Sequence, residues 1–229
     1  MSQYTSTDPV VAARNLVRIF STASGNVPAV RSVSLDIKSG ELLALQGRSG
    51  SGKTTLLNLL GGLDRPTSGS VVFEGQDITS MSERAITELR RSRVGYVFQA
   101  FGLLPLLSAY ENVELPLRIN GVSRRERRQR TEEALGRVGL GPRSRHRPYE
   151  LSGGEQQRVA IARAVAVKPS VLLADEPTGD LDSATGLSIG NLLRDVAHDE
   201  GIAVVVATHD MTLAGLADRQ EPIEKATFT

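Results

Sequence analysis

Four groups of polar side chains in this sequence have the types and spacing to work on a polyphosphate. The first is Gly47-Arg48-Ser49-Gly50-Ser51-Gly52-Lys53-Thr54-Thr55, a full match to the loop pattern G-x-x-x-x-G-K-[ST]. Its glycines let the backbone curl so that successive N–H groups point inward, and the amino end of the following helix adds partial positive charge. Lys53 is then expected to reach the β- and γ-phosphates and Thr54 to ligate Mg²⁺. The second group is the carboxylate pair Asp175-Glu176 before Pro177. Asp175 is placed to hold Mg²⁺, and Glu176 to orient or deprotonate a water. Third, the amide of Gln99 emerges from the carboxyl end of a strand, where ligands bind in open α/β sheets, although a surface glutamine fits the same sequence. Fourth, His209 follows an apolar strand that ends where the carboxylates' strand ends, unlike His146 and His198, which sit in charged surroundings.

The elements that must position these groups are legible in outline. Leu42-Leu43-Ala44-Leu45 reads as the strand feeding the phosphate loop, and Leu56 to Leu60 as the helix leaving it. Upstream, Ala13 to Phe20 reads as a strand, Ser21 to Pro28 as a turn-rich loop, and Val33, Leu35 and Ile37 alternate with Ser34 and Asp36 as a half-buried strand. Lys38 to Glu41 turns the chain back toward the phosphate-loop strand, which predicts an opening antiparallel sheet. Ser70 to Phe73 is a short strand, Ser82 caps a helix over about residues 83–91, and Val94 to Phe98 is a buried strand. Phe20, at a strand end ahead of the loop, either stacks on a base or belongs to the core.

From about Ala100 to Pro148 helical patterns replace strands. Ser123-x-x-Glu126 predicts a capping box, and the helix behind it carries Arg124, Arg125, Arg127, Arg128 and Arg130, a solvated face or a surface for lipid headgroups or a partner's acidic loop. Ser152-x-x-Glu155 predicts a second box opening a helix through Val167 that buries Val159, Ile161, Ala162 and Val165. Gly153 and Gly154 let another group approach its amino end, a second anion-binding terminus. Val171 to Asp175 is apolar at nearly every position, as expected for burial under helices on both faces of a parallel sheet. A helix over about residues 183–200 is predicted to bury Leu187, Leu192, Leu193 and Val196 and to stop at Gly201, before the apolar strand Ile202 to Val206.

Composition limits the class. With 229 residues the chain can form one sizeable core or a core with an inserted lobe. A formal charge of +1 gives no basic footprint for nucleic acid, and the absence of cysteine excludes disulfides and thiolate metal sites. No apolar run approaches the roughly 18 residues of a membrane span, and Met1 to Asp8 lacks the basic start and apolar core of a secretory signal. The chain is therefore expected to be soluble itself, with another chain supplying spanning helices if it works at a membrane.

In combination, Gly47 to Thr55, Gln99, Leu151-Ser152-Gly153-Gly154-Glu155-Gln156-Gln157, Val171 to Pro177 and Ala207-Thr208-His209-Asp210 occur in the order of the ATP-binding-cassette ATPases, which the chain resembles from about Leu16 to Asp218. The resemblance implies an α/β fold: a P-loop NTPase core with a mostly parallel sheet, an N-terminal antiparallel β subdomain and an inserted α-helical subdomain. On that division residues 1–99 and 165–229 form the core with its β subdomain, and 100–164 the helical subdomain. It further implies that Phe20 stacks on adenine and that Gly47 to Thr55 holds the triphosphate. Thr54, Gln99 and Asp175 serve Mg²⁺, Glu176 is the general base, and His209 contacts the γ-phosphate. Ser152, Gly153, Gly154 and Glu155, with Asp182, complete the nucleotide site of a second copy in a head-to-tail homodimer closed by ATP.

Phe98 to Pro105 and Glu111 to Pro116 look like the branch holding lipoprotein-release, macrolide-efflux and cell-division ATPases. This implies an integral membrane permease partner docked on the insert around Gln99 to Pro116, at the cytoplasmic face of the membrane. It also leaves two readings: export or extraction of a substrate, or a mechanical signal passed to a cell-wall hydrolase without transport. The sequence departs from the branch at Asp180, where asparagine is common, and after Arg219, where Gln220 to Thr229 lacks the expected apolar hairpin.

Overall fold

The computed structural model describes residues 8–23 and 25–224. The most apolar strands form one parallel sheet because only its interior covers both of their faces. Its order is β6 (Val94–Val97), β7 (Val171–Asp175), β8 (Ala203–Thr208), β3 (Leu42–Gln46) and β9 (Arg219–Pro222). The register pairs Asp175 with Ala207 and Thr208 with Gln46, so the polar residues that end these strands share one edge of the sheet.

A second, antiparallel sheet has the order β2 (Gly25–Ile37), β1 (Val11–Thr22), β4 (Ser68–Phe73) and β5 (Gln76–Asp77). Here the structure corrects two expectations. Ser21 to Pro28 is the end of a long β1–β2 hairpin rather than a loop, with Phe20 opposite Val27 and Thr22 opposite Gly25. Side-chain bonds from Thr22 Oγ1 to Gly25 O at 2.7 Å and from Ser21 Oγ to Asn26 Oδ1 at 3.1 Å let a polar stretch pair in an exposed hairpin tip. The phosphate-loop strand also leaves this sheet. Leu42 to Leu45 are all buried, and β3 pairs with β8 and β9 while β1 takes β4 as its other neighbour.

Helix α1 (Lys53–Leu60) leaves the phosphate loop, and α2 (Glu83–Arg93) is capped by Ser82, which accepts from Ala85 N–H. Between β6 and β7 the chain forms α3 (Ala109–Ile119), α4 (Arg124–Arg137) and α5 (Gly153–Val165) with short 3-10 turns. Ser123 accepts from Glu126 N–H, but the reciprocal bond is missing because Glu126 pairs with Arg130 instead. A complete capping box that sequence reading passed over, Ser108 with Glu111, opens α3. Helix α5 carries the expected box but ends at Val165, where Lys168 (φ 56°) turns the chain toward β7.

Helix α6 (Ser183–Glu200) ends at the left-handed Gly201. It buries Gly186, Ile189, Leu193 and Val196, and Leu187, off that stripe by one helical step, is 43% exposed, against expectation. After the short α7 (Met211–Ala214), β9 forms where no apolar pattern announced it. An edge strand needs backbone pairing more than burial, and Arg219 anchors this one through Nε to Glu41 Oε1 at 2.6 Å. The last residues of the doubtful terminal hairpin, 225–229, lie outside the described residues.

Candidate active site

The turn from β3 into α1 wraps around the lysine of its own motif. Gly50 (φ 75°) and Gly52 (φ 94°) take left-handed conformations that favour glycine, and a Cβ on Gly52 would stand 2.0 Å from Ala29 O. Gly47 is confined too, because a Cβ there would meet Ile223 O at 2.5 Å. Lys53 is only 5% exposed. Its Nζ donates to Gly47 O at 2.7 Å and to Arg48 O at 3.3 Å, and pairs with Glu176 Oε1 at 3.2 Å. The loop's carbonyls and one carboxylate thus hold the ammonium in place.

Glu176 is the hub of this corner. Its other oxygen, Oε2, lies 2.9 Å from His209 Nδ1. Glu176 sits at φ 44°, a strained conformation for a residue with a side chain, held by its own N–H to Ala207 O at 2.9 Å and by Gly179 N–H to its carbonyl at 3.1 Å. Beside it, Thr54 Oγ1 donates to Asp175 Oδ1 at 3.1 Å. Burial pushes the Asp175 carboxyl above the usual carboxylate range; the Thr54 bond opposes this, the Glu176 charge adds to it and Lys53 opposes it.

These groups open into a cleft of about 340 Å³ lined by Ser49 to Thr55, Gln99, Asp175, Glu176 and, from β2, Val27 to Ala29. Sequence reading missed the β2 lining because it took Val27 and Pro28 for loop. Phe20 does not line the cleft, but lies opposite Val27 across the hairpin and so on the same face of the sheet. Arg18 sits 4.4 Å from its ring centroid and is held by Asp64 through bonds of 2.8 and 2.9 Å. No sequence signal marked Arg18 or Asp64.

Mg²⁺ fits the donors gathered here, a hydroxyl, a carboxylate and an amide, all hard oxygen ligands. No cluster of three or more His, Asp or Glu among the described residues could hold a metal alone. A cation at Thr54, Asp175 and Gln99 would therefore complete its shell with substrate phosphate oxygens and water, as Mg²⁺ commonly does.

The second predicted corner is built but separate. Ser152 Oγ accepts from Glu155 N–H at 3.3 Å and Glu155 Oε2 accepts from Ser152 N–H at 2.9 Å, while Glu155 Oε1 pairs with Arg143 at 3.1 Å. Asp182 caps α6, accepting from Ala184 N–H, Thr185 N–H and the Thr185 hydroxyl. Neither Ser152 to Glu155 nor Asp182 lines the phosphate-loop cleft. The structure thus gathers one set of the predicted residues around the phosphate loop and leaves the other set at a different place on the same chain.

The chain is similar to proteins of known family. Residues 30–179 match the family described as ABC transporter. The chain is 51% identical over 212 residues to a lipoprotein-releasing system ATP-binding protein, LolD 2, of Caulobacter vibrioides, covering 93% of both proteins. It is 44% identical over 212 residues to the macrolide export ATP-binding/permease protein MacB 2 of Aeromonas hydrophila, covering 93% of this chain and 33% of that protein. Among solved structures, a dimeric post-hydrolysis ATP-binding cassette bound to ADP and Pi aligns with a TM-score of 0.85 and 42% identity over 93% of this chain and 94% of that one.

Proposed function

Because this chain belongs to the ABC transporter family of ATPases, we propose that it is the ATP-hydrolysing subunit of a membrane complex that exports or extracts a substrate, driven by ATP-dependent closure of a head-to-tail homodimer. The observation that carries the reading is the chain of contacts Lys53–Glu176–His209 beside Thr54–Asp175, all facing one cleft or its rim.

The residues divide the work as follows. Backbone N–H groups of Gly47 to Thr55 and the uncapped start of α1 bind the triphosphate, with Phe20 available to the base. In this structure Lys53 holds Glu176. A triphosphate competes for Lys53, and its arrival frees the carboxylate to take a proton from water. The water oxygen then bonds to the γ-phosphorus as the bond to the ADP oxygen breaks, giving ADP and phosphate. His209 fixes the orientation of Glu176 through Nδ1. Thr54, Asp175 and Gln99 are the residues that would hold Mg²⁺, which would supply neutralisation of charge on the phosphates.

Ser152, Gly153, Gly154 and Glu155, together with Asp182, lie apart from this cleft and serve the nucleotide of a second copy, so that two ATP molecules join two protomers. Swinging such an equilibrium from mostly open to mostly closed needs about 5.5 kcal/mol of differential affinity, within reach of two shared triphosphates. No helix among the described residues is long and apolar enough to cross a membrane. We assign the coupling to a permease at the cytoplasmic face, docked on the helical subdomain, residues 100–164, near Leu104 and Leu106, which are 45% and 81% exposed. The relative in which ATP-binding and permease functions share one protein supports that partner class.

Light scattering of the Glu176→Gln protein tests the dimer: it is expected to be a monomer without nucleotide and a dimer with Mg-ATP. A monomer under both conditions, with ATP bound, would sink the closure mechanism. Affinity purification from detergent-solubilised membranes tests the partner, and recovery of the chain without any integral membrane protein would remove the permease.

A further inference from the structure

The segment that leaves Gln99 is held in a strained shape by a residue outside the motifs. Phe101 and Gly102 both adopt φ 59°, and Phe101 N–H closes the turn onto Phe98 O at 3.1 Å. Phenylalanine resists this left-handed backbone, so the turn persists only if its surroundings enforce it. Near the carboxyl end of α5, Arg163 supplies the enforcement. One guanidinium nitrogen donates to Gly102 O at 2.5 Å and the other to Phe101 O at 3.1 Å. These two hydrogen bonds go to neutral carbonyls, and burial pushes the Arg163 guanidinium below the usual range. A half-buried cation satisfied by neutral carbonyls is a costly arrangement, unlike Arg127 of α4, which pairs with Glu114.

The gripped segment carries one part of the machinery and touches two others. Gln99 Nε2 is 3.2 Å from the place a Cβ on Gly179 would occupy. Phe101 Cζ is 3.6 Å from the Cβ position of Gly153, and Leu181 Cδ2 is 3.3 Å from that same position. One short turn therefore joins the metal-binding amide, the segment leading to Asp182 and the Ser152–Gly154 corner.

We propose that Arg163 is a positioning residue for hydrolysis: by gripping the carbonyls of Phe101 and Gly102 it sets where Gln99 stands in the cleft and ties that placement to α5. A shift of α5 against a second copy then moves Gln99 relative to Asp175 and Thr54. The inference rests on the roles proposed above for Gln99 and Glu176. The planar fork of arginine suits two neighbouring carbonyls; the point charge of lysine can serve one.

The test is steady-state ATP hydrolysis by the full chain carrying Arg163→Met, Arg163→Lys, Gln99→Ala, and Arg163→Met with Gln99→Ala, with melting curves for each. Arg163→Met is expected to lower kcat by about tenfold or more, the scale of a small misplacement, while the KM for ATP stays within about threefold. Arg163→Lys should recover part of the loss. In the Gln99→Ala background Arg163→Met should cost less than about twofold, because a residue acting through Gln99 has nothing left to position. An unchanged kcat for Arg163→Met, or its full cost repeated without Gln99, overturns the inference. If Arg163→Met melts below the assay temperature, the lysine variant carries the same comparison against Gln99→Ala. Wild-type turnover that survives Glu176→Gln overturns the site assignment and this inference with it. Turnover that falls with Glu176→Gln yet ignores Arg163 overturns the inference alone.

Discussion

Two helices begin at glycine-rich corners in this protein, and their amino ends are finished differently. Helix α1 starts at Gly52 with no side-chain cap and no acidic residue in its first turn. Helix α5 starts at Ser152 with a complete capping box and Glu155 in its first turn. A helix end with neither cap nor carboxylate keeps its N–H groups and its partial positive charge for something else. The α1 end, which begins at Lys53, shares one cleft with Asp175 and Glu176. The α5 end has already used the N–H groups of Ser152 and Glu155, and keeps those of Gly153 and Gly154 outside the box. The first corner thus leaves its helix end open toward a cleft. The second stands on its own as a finished helix start.

The sharpest way to break this comparison is at the α1 corner. Glu176→Gln keeps the shape of the side chain and its contact geometry but removes the base, so hydrolysis is expected to slow by roughly 10²–10⁴ with ATP binding retained. Turnover near wild type in a phosphate-release assay would end the role of Glu176. Next in size, Lys53→Ala removes the buried ammonium and should weaken ATP binding by about 10–100-fold, the worth of a charged hydrogen-bonding group. Calorimetry showing unchanged affinity would mean that the α1 end does not need it.

The α5 corner should respond more mildly, and in a different observable. Ser152→Ala removes the cap at a cost of about 1 kcal/mol, a fall of roughly 2–4 °C in Tm for a chain of this size. It should leave the ATP affinity of a single copy unchanged while weakening ATP-driven dimerisation. A loss of monomer affinity instead would merge the two corners into one site. Smallest is Asp182→Ala. Hydrogen bonds from the Thr185 hydroxyl and from backbone N–H groups hold the Asp182 carboxyl below its ordinary range. Its contribution is therefore present above the ordinary aspartate pKa and lost as pH falls through the lowered folded value. The variant should melt slightly below wild type at neutral pH, by less than Ser152→Ala, and the gap should close in strong acid. A gap that widens toward low pH would contradict the cap.

Much of the site was legible because its signals are local. A glycine pattern before Lys53-Thr54, an all-apolar strand before Asp175-Glu176 and a serine three residues before Glu155 each specify a turn, a buried strand or a helix start within a few residues. The capping box at Ser108 followed the same rule and was simply passed over. What stayed illegible was non-local. Leu187 looked like core because it is leucine, and only the position of the α6 stripe shows that it faces away. The strand β9 carries no apolar pattern, since at a sheet edge the partner's backbone and Glu41 supply what burial supplies elsewhere.

The sequence by itself determined which residues are candidates for the chemistry and which ends of which elements they occupy, because backbone sterics, capping and burial on both faces act over a few residues. The tertiary structure alone decided which of them meet. Thr54 reaches Asp175 across 121 residues, His209 reaches Glu176 across 33, and Arg163 reaches Gly102 across 61. Such meetings depend on strand order, with β3 seated between β8 and β9. Strand order is chosen by the burial of whole apolar faces at once, a sum over the entire core that no short stretch of chain contains.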